Sequence, residues 1–147
     1  MRILGSFGQL GAPYVKARVI CKRLGIDETL IFLVDLGASV TIISPLDAKF
    51  LGIPYNRITR VRRGVSGVGG RAKTYLMSDT QLIFKSETGN YKAGLNHLFV
   101  LKPGSRTLST DEKLIPSLLG RDFLNQMALL VDNRHELVLI TDEVLTV

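Results

Sequence analysis

The chain has 147 residues, 46% hydrophobic and 22% charged, with a formal net charge of +6 and one cysteine. That length fits a single domain, residues 1–147, which can bury roughly 70% of its unfolded surface in one core. The composition excludes a disordered chain, and Cys21 has no partner for a disulfide framework. The longest apolar runs, Leu30 to Val34 and Met127 to Val131, fall far short of the about 20 residues that a membrane helix needs. Met1 to Gly8 has too short an apolar stretch for a signal peptide. The expectation is a cytoplasmic, reducing location with no membrane partner.

In chain order the pattern is mostly strand. Val15 to Cys21 alternates apolar and polar residues, so that Lys16 and Arg18 mark a solvated face. Leu30 to Val34 is a continuous apolar run, which reads as a strand buried on both faces. Val40 to Ile43 is β-branched throughout, with Thr41 its one polar member. A short helix is expected over Pro45 to Leu51. Ser44 suits the N-cap and Pro45 the first helical position, Asp47 follows the cap, and Gly52 stops the helix. Further strands are expected at Arg60 to Val65, Arg71 to Met77, Thr80 to Lys85, Tyr91 to Ala93 and Leu95 to Leu101. Lys102 to Lys113 is polar and rich in Pro, Gly, Ser and Thr, and reads as a mobile loop. Leu118-Leu119-Gly120 ends a short strand, Arg121 to Met127 reads as a second helix, and Leu129 to Asp132 with Leu137 to Ile140 reads as a closing hairpin. Many short strands at this spacing imply an all-β barrel or sandwich with minor helix.

Three segments could carry chemistry. Asp35-Leu36-Gly37-Ala38-Ser39 places a carboxylate where an apolar strand enters a tight turn. A carboxylate against apolar walls is costly unless hydrogen-bonded or sharing a proton, although on these five residues alone an ordinary Asx-turn at a strand end is the better reading. Gly64 to Arg71 carries Gly67, Gly69 and Gly70, but lacks the Lys and the Ser or Thr of a phosphate loop and the helix of a dinucleotide fold. A glycine-tipped β-hairpin is the better reading. Leu118 to Leu124 sets Gly120 at a strand-to-helix hinge beside Arg121, whose guanidinium fork could brace a carboxylate or turn carbonyls. His97, His135 and Cys21 lack metal-ligand or catalytic spacing. The basic residues cluster around Arg57 to Lys73 without interleaved aromatics, which argues against nucleic acid.

Taken together and in order, the three segments resemble the retropepsin family, the single-domain aspartic proteases of retroviruses, retroelements and cellular relatives. The resemblance runs from about Val15 to Ile140. It implies a closed acid-protease β-barrel with one or two short helices and a β-hairpin flap. It implies that Asp35 is the catalytic carboxylate and that Gly37 and Ala38 lie beside the substrate backbone. Gly67, Val68, Gly69 and Gly70 would form the flap tip, and Leu118 would sit near a substrate pocket. Leu36, Ser39, Gly120 and Arg121 would support the site, with no metal and no cofactor. Leu36 stands where the family usually has Thr or Ser. Ser39 stands where retroviral members have an acid that pairs with the helix arginine, which leaves Arg121 to a backbone carbonyl or another acid.

Aspartic proteolysis needs two carboxylates sharing one proton, and Asp-x-Gly occurs once in this sequence. The resemblance therefore implies a homodimer acting on peptide or protein substrates, with the terminal strands, Leu137 to Ile140 and the N-terminal segment, as dimer-forming elements. The alternative is a catalytically weak or inactive peptide-binding module of the same fold. A basic β-barrel that binds nucleic acid ranks third.

Overall fold

The computed structural model describes residues 1–62, 73–105 and 107–146. The expected flap tip, Gly67 to Gly70, lies outside them. Two short strands, β1 (Arg2–Leu4) and β2 (Ser6–Phe7), lead into a long antiparallel pair, β3 (Pro13–Cys21) and β4 (Ile26–Val34). The alternation read along β3 holds: Val15, Ala17, Val19 and Cys21 are buried while Lys16 and Arg18 are exposed. Along β4 it corrects the sequence expectation. Leu30, Phe32 and Val34 face the core, but Ile31 is 54% exposed, so this strand is covered on one face only. A run of apolar residues cannot by itself distinguish one buried face from two.

Of the run Val40 to Ile43 only β5 (Ile42–Ile43) is strand, and Thr41 is diverted to side-chain bonding described below. Next comes α1 (Pro45–Leu51), with the boundaries the sequence predicts. Ser44 accepts a hydrogen bond from Asp47 N at 3.1 Å, and Gly52 ends the helix in the left-handed region at φ 64°. β6 (Thr59–Val61) and β7 (Thr74–Ser78) pair antiparallel and enclose the segment that is not described. β8 (Gln81–Ser86), β9 (Gly89–Lys92) and β10 (His97–Leu101) follow.

Residues 102–113 are not a featureless loop. They contain the start of α2 (Thr110–Leu114), opened by a reciprocal capping box between Ser109 and Glu112. Glu112 Oε2 also accepts from Gly104 N at 2.8 Å. These backbone amides hold the Glu112 carboxyl below its ordinary value of 4.5. A group depressed in the folded state adds stability above its unfolded pKa and loses it as pH falls through the folded one. Glu112→Gln is therefore expected to lower stability at neutral pH, with the gap closing at an acidic pH below the carboxyl's folded titration. Urea denaturation at both pH values checks this, and an equal gap at both would contradict it.

The chain closes with β11 (Ser117–Leu119), α3 (Arg121–Leu124), β12 (Ala128–Asp132) and β13 (Leu137–Thr141). α3 stops earlier than expected: Gln126 N and Met127 N bond back to Phe123 O and Leu124 O as the chain turns into β12. Ten strands form one sheet in the order β6-β7-β10-β5-β11-β4-β3-β8-β9, with β2 on β3. A second sheet runs β1-β13-β12. The mostly β fold with few short helices is as expected, but the sheets do not close into a barrel. The terminal strands also differ from expectation. β13 is the central strand of its sheet, paired on both edges within the chain by β1 and β12, so it has no edge to offer another copy. Between the layers lies the main core, including Val19, Phe32, Ile43, Leu82, Leu119 and Ile140, with Phe84 stacked on Phe123 at 4.9 Å. Each such large side chain contributes about 1.5–3 kcal/mol of burial.

Candidate active site

Two strands that run side by side in the same direction release two loops at the same place. β4 and β11 are parallel, with Val34 opposite Leu119 and Leu33 opposite Leu118. Just past that register Asp35 N donates to Leu119 O at 3.0 Å. The Asp35 turn and the Gly120 hinge are thereby neighbours, although far apart in sequence.

Within the turn, Ala38 N donates to Asp35 O at 3.2 Å, and Gly37 N donates to Asp35 Oδ1 at 2.8 Å. The half-buried carboxyl is thus held in one orientation by the backbone of its own loop. Gly37 is exposed beside it. A Cβ built on Gly37 would lie 3.0 Å from that same Oδ1, so a side chain there would press on the carboxyl.

The Gly120 hinge braces this turn from below. Arg121 N donates to Ala38 O at 2.9 Å, and Arg121 Nη1 donates to Leu36 O at 2.7 Å. Arg121 thus takes a backbone carbonyl rather than an acid. The Leu36 side chain is 56% exposed, and Ser39 is exposed as well. Ala38 and Leu118 are instead buried together, with Ile42 and Leu101, in a small apolar cluster under the loop. The structure brings Asp35, Leu36, Gly37, Ala38, Gly120 and Arg121 into one bonded unit, with Leu118 packed beneath it. Gly67, Val68, Gly69 and Gly70 lie outside the described residues.

Two members of this unit escaped the sequence reading. Asp122 Oδ1 accepts from Thr41 Oγ1 at 2.7 Å, and Asp122 Oδ2 accepts from Thr41 N at 2.9 Å. Thr41 Oγ1 in turn accepts from Gly120 N at 3.1 Å. Asp122, at the start of α3, ties the end of the Asp35 turn to the hinge. The one signal was Thr41, a lone polar residue in an apolar β-branched run, buried here and fully bonded. A second buried link sits one strand away: Ser44 N donates to Ser117 Oγ at 2.9 Å, and Ser117 Oγ donates to Asp47 Oδ2 at 2.5 Å.

Chemically, the arrangement presents one oriented carboxylate on a loop with little freedom to move. Such a group can exchange a proton with a bound water, and a second carboxylate beside it would let the pair hold one proton between them.

Comparison with known proteins follows the same line. Residues 23–123 match the model of a family described as aspartyl protease. Among solved structures the chain is similar to a retropepsin-like aspartic protease from Rickettsia conorii, at 19% identity over 95% of this chain and 89% of that one, with a TM-score of 0.58. It is also similar to the EIAV protease bound to an inhibitor, at 20% identity over 82% and 91%, with a TM-score of 0.49. No curated protein sequence matches.

Proposed function

The chain belongs to the aspartyl protease family, and on that premise we propose that it is a homodimeric aspartic endopeptidase whose dyad is two Asp35 carboxylates, one from each copy. The observation that carries this is the Asp35 turn: a half-buried carboxyl held by Gly37 N, on a loop braced by Arg121 and Gly120. A chain with one such turn supplies half of a dyad, and a two-fold axis supplies the rest. Two close carboxyls titrate as a coupled pair, one giving up its proton well before the other. The ionised one takes a proton from a water, whose oxygen attacks the scissile carbonyl carbon, while the protonated one donates to the carbonyl oxygen. Proton transfer to the amide nitrogen then releases the two peptides. The substrate lies extended, bonded through its main chain, along Gly37 and Ala38, and Gly67, Val68, Gly69 and Gly70 are assigned to substrate binding as well.

Incubation with a defined peptide mixture from acidic to neutral pH, read by mass spectrometry, tests the proposal. Internal cleavage with a maximum in the acidic range supports it. A folded dimer without turnover at any pH favours the second reading, a non-catalytic module that binds peptide. Leu36 motivates that reading, because it cannot make the cross-dimer hydrogen bond of the hydroxyl usual at this position.

Restoring that hydroxyl gives a direct check. Leu36→Thr is expected to tighten the dimer about thirtyfold, since each copy adds one hydrogen bond and two of about 1 kcal/mol make about 2 kcal/mol. The backbone brace from Arg121 to residue 36 does not use the side chain and is retained. Sedimentation equilibrium measures the change, and a looser dimer would contradict it.

A further inference from the structure

The cations of this chain group differently in space than along the sequence. β3, β8 and β9 lie side by side, and their outward residues form rows across the sheet. Arg18 stands opposite Ile83, and Ile83 opposite Lys92. Two residues along, the same register brings Lys16 beside Lys85, and Lys85 stands opposite Asn90. Lys16, Arg18, Lys85 and Lys92 thus share one solvent face, and all four are exposed. Between them lies a hollow of about 410 Å³ whose lining includes Lys16, Arg18, Thr29, Ile83, Lys85 and Asn90, and no acid. Asp27, farther along β4, is taken by Arg18 through two hydrogen bonds of 2.6 Å. Among the described residues no ion pair joins Lys16, Lys85 or Lys92 to an acid. Like charges opposite one another on neighbouring strands destabilise a sheet, so this face carries a repulsion that a bound anion relieves.

We propose that this hollow binds an acidic peptide segment in extended conformation, at a place outside the Asp35 turn and independent of cleavage. Rows on one face of a strand recur about 6.8 Å apart, and so do alternate side chains of any extended peptide. A peptide laid along β3 with acids at alternate positions therefore meets Lys16 and Lys85 with one carboxylate and the row of Arg18 and Lys92 with the next. Asp27 holds Arg18 through Nε and Nη2, which leaves Nη1 to donate. Ile83 is half-buried, and Ile31, paired with Lys16, is 54% exposed. These two supply apolar contact for the methylenes of the acidic side chains. The concave shape suits a chain rather than a bilayer, whose flat surface cannot enter it. The one aromatic residue in the lining, Phe84, is fully buried, so nucleic-acid bases have no ring to stack on.

The experiment is fluorescence anisotropy of a labelled decapeptide alternating Glu and Thr, titrated with the full chain, against the same peptide with Gln in place of Glu. The Glu peptide is expected to bind, more weakly as salt rises, and the Gln peptide is not. Lys16→Glu combined with Lys85→Glu is expected to weaken binding at least about tenfold. Arg60→Glu combined with Arg62→Glu changes the net charge equally, at exposed residues outside this face, and is expected to stay within about twofold of wild type. If the doubly reversed variant does not fold, NMR of the wild type decides: the Glu peptide is expected to shift the backbone amides of residues 16–18, 83–85 and 90–92. Equal binding of the two peptides, equal loss in the two double variants, or shifts confined to other residues overturns the proposal. Binding of oligouridylate or of phosphatidylserine vesicles through Lys16 and Lys85, without binding of the peptide, also overturns it by giving the face another partner. The readout is binding, so an inactive enzyme leaves this test standing, and a failed test leaves the protease reading untouched.

Discussion

Asp35→Asn is expected to abolish peptide-bond cleavage while leaving the melting temperature nearly unchanged. The two effects separate because of where the carboxyl sits. Asn keeps the shape of Asp and an oxygen able to accept from Gly37 N, so the turn retains its 2.8 Å hydrogen bond and its link to Leu119 O. What Asn lacks is a proton that moves. It can neither take a proton from water nor share one with a partner carboxylate. General acid–base groups contribute about 10²–10⁴-fold, and here one substitution removes both members of the pair, since each copy carries it. A loss of kcat/KM of at least that size is expected, measured on a peptide that the wild type cleaves and alongside a thermal melt. Residual activity within about tenfold of wild type would remove Asp35 from the mechanism.

Gly120→Ala is expected to act in the opposite way, through the fold first and activity second. The backbone of Gly120 has φ −100° and ψ −176°, a conformation open to any residue. The constraint is therefore space. A Cβ there would lie 2.4 Å from Val40 O and 2.5 Å from Val40 C, with Ala38 O at 3.0 Å. All three are backbone atoms of the Asp35 turn and its continuation, so no side chain can rotate away. One methyl group must push the hinge and the turn apart, straining Arg121 N–Ala38 O and Gly120 N–Thr41 Oγ1. Overpacking of this kind costs about 1–3 kcal/mol. A lowered denaturation midpoint together with reduced kcat is expected. A variant as stable as wild type would mean that the two loops are less closely coupled than their contacts imply.

Features encoded locally were the ones legible in the sequence. Helix α1 was readable to the residue because Ser44, Pro45, Asp47 and Gly52 each act on the neighbouring turn. The Asp35 turn and the Gly120 hinge were legible as types, since a carboxylate after an apolar strand and a glycine before an arginine are unusual enough to mark. α2 is encoded by a capping box at Ser109 and Glu112 that lies inside a polar, glycine-containing stretch whose composition alone suggests a loop. What could not be read was pairing at a distance. Asp122 and Thr41 are separated by 81 positions, and nothing near Asp122 says that its carboxylate points away from its own helix. The same holds for β13, whose central place in its sheet depends on β1 from the other end of the chain. Ile31 is exposed because only one side of β4 is covered, a fact of layer packing that a five-residue apolar run does not carry.

The grip of Arg121 on the Leu36 carbonyl has a consequence for how this loop tolerates change. A brace that holds main chain is indifferent to which amino acid supplies it, so position 36 can drift without loosening the turn around Asp35. Position 41 has no such freedom, because there the hydroxyl itself is shared between Asp122 and Gly120. In a saturation library scored for folding alone, residue 36 should accept most amino acids and residue 41 almost none but threonine. Scored for dimer-dependent function, residue 36 should become selective while residue 41 stays as it was. Variation at the position next to the acid can thus tune how two chains meet without disturbing how one chain folds.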